Sequence, residues 1–170
     1  MQGAALIDRL EGNAGVIGHL IEDVPTEQAA WRPAPDKWSI LEVMVHLLDE
    51  EREDFRTRLD LLWHQPETPF PPIDPRGWVT SRAYADRDLH ETLDRFREER
   101  IRSVTWLRSL GTTPWDAVRV HPQFGPLSAG DLMGAWVAHD FLHIRQLAHL
   151  HFLTVARLAE PHSVGYAGEW

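Results

Sequence analysis

Two histidines four residues apart, His139 and His143, frame the stretch His139-Asp140-Phe141-Leu142-His143. On a helix that spacing puts both on one face, about 40° apart around the axis. Both imidazoles can then reach a single ion at about 2.0–2.1 Å, the usual distance from a histidine nitrogen to zinc. The histidines of H-E-x-x-H metalloproteases use the same spacing. Here the intervening residues are Asp-Phe-Leu, and the glutamate that serves as base in those enzymes is missing, so that class is excluded. Gln146 continues the strip three residues beyond His143 and can hydrogen-bond a ligand or a coordinated water. Trp136, one turn before His139, can wall one side of a substrate pocket. Taken alone, the pair reads more readily as two separately satisfied polar side chains.

His46 changes the weighting. It lies within Val43-Met44-Val45-His46-Leu47-Leu48, with Glu50 one turn on and Glu53 two turns on. On a helix these three form a polar strip away from the centre of the apolar face, so His46 is expected to border a groove. If that groove faces the helix of His139 and His143, His46 supplies a third nitrogen. Three neutral histidines with a coordination position left over make an open, catalytic type of site. An ion so held generates a nucleophile near neutral pH by lowering the pKa of a bound water or thiol. Glu50 is the first candidate for a catalytic carboxylate that orients a ligating histidine. Asp49 and Asp140 are rivals, and each of the three reads equally as a solvated carboxylate. His121, in an irregular stretch beside Phe124, can reach the mouth of such a site. His149 and His151 fall near a helix C-terminus, where a cation is favoured, and read as structural. His19, His64, His90 and His162 read as surface residues.

Composition narrows the chemistry. The chain has ten histidines, eight tryptophans and no cysteine. Disulfides, zinc-thiolate sites and a cysteine nucleophile are therefore excluded, and histidine and carboxylate remain as the strong metal ligands. The net charge of −9 repels phosphate backbones and argues against nucleic acid as a partner. The N-terminus lacks the basic start and long apolar run of a signal peptide, and no stretch approaches the roughly 18 apolar residues of a membrane span. A cytoplasmic protein acting on a small molecule is expected. There is no glycine-rich phosphate loop, nucleophile elbow or dinucleotide fingerprint.

The elements that must position these residues are helices. Residues 1–170 suit a single domain. A first helix is expected over about Ala4–Asp23, weakened by Gly12, Gly15 and Gly18, which allow close packing. A second starts at Ser39, whose capping box closes with Glu42, and continues to about Trp63. A proline-rich connection from Gln65 to about Arg87 is long enough to be functional. A third helix covers about Asp88–Leu110 and stops at Gly111; its charged run Arg95–Arg102 reads as a solvated face. Val118–Val120 forms a short extended piece. Ser128, with Asp131 at N3, caps a fourth helix over about Ala129–His151, apolar around most of its circumference and so the most buried. A short helix can precede Pro161. The expected fold is an all-α four-helix bundle with long irregular connections.

At this point the residues resemble a known family. Trp31-Arg32-Pro33 through Lys37-Trp38-Ser39-Ile40, followed by His46 and Glu50, is similar to the second-helix block of the DinB-like superfamily. His139, His143 and Gln146 are similar to its last-helix block. The resemblance runs from about Leu6 to Leu150. It implies a four-helix bundle with one metal site on His46, His139 and His143, commonly zinc or nickel, and a homodimer. It also implies the activities known in that superfamily, including metal-dependent transfer to a low-molecular-weight thiol such as bacillithiol or mycothiol.

Overall fold

The computed structural model describes residues 2–121 and 123–170. In chain order the helices are α1 (Gly3–His19), α2 (Thr26–Ala30), α3 (Ile40–Glu50), α4 (Arg56–His64), α5 (Pro75–Ser81), α6 (Leu89–Ser109) and α7 (Ala129–Ala159). A single π-helical turn, Glu51–Phe55, joins α3 to α4 in one rod. An antiparallel hairpin, β1 (Val118–His121) and β2 (Gly125–Ser128), precedes α7.

The caps read from the sequence are built as expected. Ser39 Oγ accepts from the Glu42 amide at 3.2 Å, and Glu42 Oε2 accepts from the Ser39 amide at 2.9 Å. Arg32 adds a forked ion pair to the same carboxylate, tying the preceding connection to the start of α3. Ser128 and Asp131 form the corresponding box at α7. Gly111 follows α6 with φ +63°, the left-handed value that a helix-ending residue needs.

Several boundaries differ from the periodicity. α1 ends at His19, and residues 20–23 turn away towards α2. α7 continues to Ala159, past His151, because no breaker intervenes before Pro161; the short helix expected there is its last two turns. Val118–Val120 is extended as expected, and it pairs with Gly125–Ser128 around a turn that uses Gly125 at φ +71°. Of Gly12, Gly15 and Gly18, only Gly18 meets a neighbour: a Cβ there would lie 2.5 Å from Arg97 Nη2.

The bundle is formed by α1, the α3–α4 rod, α6 and α7. α1 packs against α6 and α7, and so does α3. Helices consecutive in the chain thus occupy opposite corners, which the connection through α2 is long enough to permit. The core splits into two apolar clusters. One gathers Ile17, Met44, Leu47, Phe96 and Leu147. The other gathers Leu10, Phe55, Leu59, Val104 and Trp136. On every long helix the residues between the two clusters are polar and buried: Asn13 on α1, Glu50 and Glu51 on the rod, Arg100 on α6, Asp140 and His143 on α7. Apolar burial at either end drives folding, and the seam between them carries the chemistry. Among the described residues, no helix is long and apolar enough to cross a membrane.

Candidate metal centre

His46 lies two turns into α3, and His139 and His143 lie one turn apart in mid-α7. Their Nε2 atoms converge: His46 to His143 is 3.1 Å, His46 to His139 is 3.3 Å, and His143 to His139 is 3.1 Å. A tetrahedron with bonds of about 2.0–2.1 Å has edges of roughly 3.3–3.4 Å, close to these spacings. Among the described residues this is the cluster of histidine, aspartate and glutamate donors suited to a metal ion. His46 is 4% exposed, so the groove position expected from its polar strip is instead an interior one, closed by Trp38 at a ring separation of 4.9 Å.

Burial favours the neutral form of all three rings. It pushes His46 down to about 2, with the His143 and His139 rings adding to the effect. Burial likewise pushes His139 down to about 3, helped by His143 and the Arg100 guanidinium. His143 is also lowered, mainly by burial. Three neutral nitrogens aimed at a common point offer lone pairs to a cation, so the donor set fits a divalent ion. His143 Nδ1 lies 2.9 Å from Gln146 Oε1. Gln146 is thus engaged with a ligating ring at the oxygen that a ligand or coordinated water was expected to use.

Glu50 is beside His46. Its Oε1 is 3.9 Å from His46 Nδ1, and both atoms are buried without a hydrogen-bond partner. Burial, with the Asp54 carboxylate adding to it, pushes Glu50 up to about 8. The two rivals are committed elsewhere. Asp49 Oδ2 accepts from Arg82 and from the Tyr84 hydroxyl, each at 2.8 Å. Asp140 is held by Arg100 through two bonds of 2.8 and 2.9 Å, and by Asn13 at 3.1 Å.

That network was not legible in the sequence. Arg100, within the run expected to be solvated, is 2% exposed. It pairs with Glu51 as well as Asp140 and donates to the Leu10 carbonyl at 2.7 Å. Burial alone would lower its pKa, but the Glu51 and Asp140 carboxylates outweigh it and keep the guanidinium charged. The network spans α1, the π turn, α6 and α7, and it fixes the rotation of α7 one residue after His139. The π turn brings Glu51 inward where a straight helix would continue the strip, and such turns are frequent at functional sites. Trp136 is fully buried; it donates to Glu51 Oε2 at 3.0 Å and stacks on Phe55 at 5.8 Å. Phe55 in turn lies 5.3 Å from the His139 ring, so it stands between Trp136's cluster and the histidines.

Fold and site together define a mostly helical four-helix bundle whose three-histidine cluster suits a divalent metal ion. The profile of the DinB superfamily matches residues 9–147, and the chain belongs to that superfamily. Among solved structures it is similar to YfiT from Bacillus subtilis, described as "a probable metal-dependent hydrolase with an unusual four-helix bundle topology". The TM-score is 0.80 at 20% identity, over 90% of this chain and 87% of that one. At that identity the likeness carries the fold. No curated protein matches the chain.

Proposed function

We propose that the protein is a metal-dependent enzyme that activates a small nucleophile, a low-molecular-weight thiol or water, for attack on an electrophilic small molecule. The convergence of three buried, neutral Nε2 atoms within 3.1–3.3 Å of one another carries this reading. His46, His139 and His143 would hold the ion, and three protein ligands leave a position free for a reactant. A divalent ion there supplies a Lewis acid that lowers the pKa of the nucleophile. Gln146 fixes the His143 ring. Glu50 Oε1 stands 3.9 Å from His46 Nδ1, and an approach of the two to hydrogen-bond distance would favour the tautomer that aims Nε2 into the site. Trp38 and Phe55 shield the rings from water on two sides.

The proposal extends to zinc or nickel as the ion, a thiol of the bacillithiol or mycothiol kind and a homodimer, which rest on the family resemblance, and to a cytoplasmic location, which rests on the N-terminal sequence and the lack of a long apolar stretch. YfiT's description as a hydrolase supports testing water beside thiols. The test is metal analysis of the purified protein, then turnover of electrophiles with bacillithiol, mycothiol, glutathione or water as nucleophile. Turnover that depends on the metal and on His143 is expected. Stoichiometric metal without turnover across that set would establish a non-catalytic metal-binding protein instead.

A further inference from the structure

We infer that the cavity enclosed by the proline-rich connection, the hairpin and α7 is the recognition site for an aromatic molecule that bears a hydrogen-bond acceptor and no anionic group, seated beside the histidine centre. The cavity measures about 560 Å³, within the range of small-molecule sites. Phe55, Phe70, Phe124 and Leu132 supply apolar walls, which suit a flat ring. Phe70 is held in place by the guanidinium groups of Arg58 and Arg119, 5.1 and 4.7 Å from its ring centre.

Two donors serve the acceptor. His121 Nδ1 accepts from the backbone N–H groups of Gln123 at 3.1 Å and Phe124 at 3.4 Å. Its ring proton is therefore on Nε2, which leaves a donor for the cavity that His121 lines. Arg58 is buried, with Nε paired to Asp54 and Nη2 bonded to the Pro71 carbonyl at 3.2 Å. Its Nη1 has no hydrogen-bond partner among the described residues. Asp54 balances the Arg58 charge, and Asp131 is committed to the Ser128 cap. The lining thus holds one surplus carboxylate and no unpaired cation, so an anionic ligand gains nothing to offset its desolvation.

Two residues of the lining stand next to the metal centre, whose histidines are not themselves part of it. Phe55 lines it and lies 5.3 Å from the His139 ring; Ala135 lines it one turn before His139. That the bound molecule is the electrophilic substrate rests on the metal-enzyme reading. That the cavity binds it does not.

Coumarin, flat, neutral and bearing a lactone carbonyl, is a suitable probe, with benzoate as the anionic comparison. Saturable binding by ligand-observed NMR is expected, stronger than for benzoate. Ala135→Phe, which fills the cavity, and Phe124→Ala, which removes an exposed wall, should each weaken coumarin by at least about tenfold. His121→Phe should weaken it less. Metal content is measured on the same samples. The assignment is overturned if coumarin fails to saturate the folded protein, if benzoate binds more tightly, or if both Ala135→Phe and Phe124→Ala bind coumarin as the wild type does. Coumarin binding by a protein that takes up no metal would remove the enzymatic reading and leave the cavity standing. Metal uptake without coumarin binding would do the reverse.

Discussion

His143 donates its Nδ1 hydrogen to Oε1 of Gln146, 2.9 Å away and one turn further along α7. An amide oxygen only accepts, so this bond fixes the tautomer and leaves the Nε2 lone pair directed at His46 and His139.

Gln146→Leu should therefore lower metal affinity by about 10–100-fold, the usual effect of removing the partner of a ligating histidine. Gln146→Glu, which keeps an acceptor oxygen, should retain most of it. Competition against a chromophoric chelator reads both. Equal affinities for the leucine variant and the wild type would show that the bond does not position the ring.

Replacing His46, His139 or His143 singly with alanine should reduce bound metal well below one ion per chain while helical circular dichroism is maintained. The apolar clusters lie to either side of the seam and do not need the ion. Full metal content in His46→Ala would mean that α7 alone holds the ion.

The metal-free protein should be most stable near pH 6.5 as far as four buried groups decide it. His46 and His139, at about 2 and 3 in the folded chain, stay neutral there, and His143 is shifted in the same direction. The unfolded chain protonates each below about 6.5. The unfolded state then binds more protons, and stability falls as pH drops below 6.5, by on the order of 1 kcal/mol per pH unit per histidine. Glu50 acts in the opposite sense: at about 8 when folded against 4.5, it keeps a proton that the unfolded chain has lost, so stability also declines as pH rises from 4.5 towards 8. Below 6.5 the three histidines prevail; above it Glu50 acts alone. Urea midpoints across pH 5–8 test this, and Glu50→Gln should flatten the upper limb.

Arg100→Met should destabilise the fold by about 3–5 kcal/mol, because it leaves Asp140 and Glu51 buried without their counter-charge. Combining it with Asp140→Asn and Glu51→Gln should recover part of the loss. Urea denaturation of the single and triple variants gives the comparison, and a single-variant loss below about 1 kcal/mol would place the network in contact with water.

Local signals survive in a sequence when a few neighbouring residues settle the outcome. The capping boxes at Ser39 and Ser128 were legible because each is closed by a residue three positions on. The His139/His143 pair was legible because helical spacing alone brings the rings together. The π turn at Glu51–Phe55 left no such trace, since apolar periodicity resumes on both sides of it. The burial of Arg100 was equally hidden: a charged residue enters a core only when its partners, here from α1, the π turn and α7, arrive with it.

The amino-acid sequence by itself determined the long helices, their caps and the pairing of His139 with His143, all of which depend on contacts within about one or two helical turns. The tertiary structure decided that His46 meets that pair across the bundle, that Glu50 and not Asp49 or Asp140 stands beside it, and that the hairpin and the proline-rich connection close a cavity next to it. Those outcomes depend on which helix faces which, and facing is set by the simultaneous burial of side chains far apart in the chain.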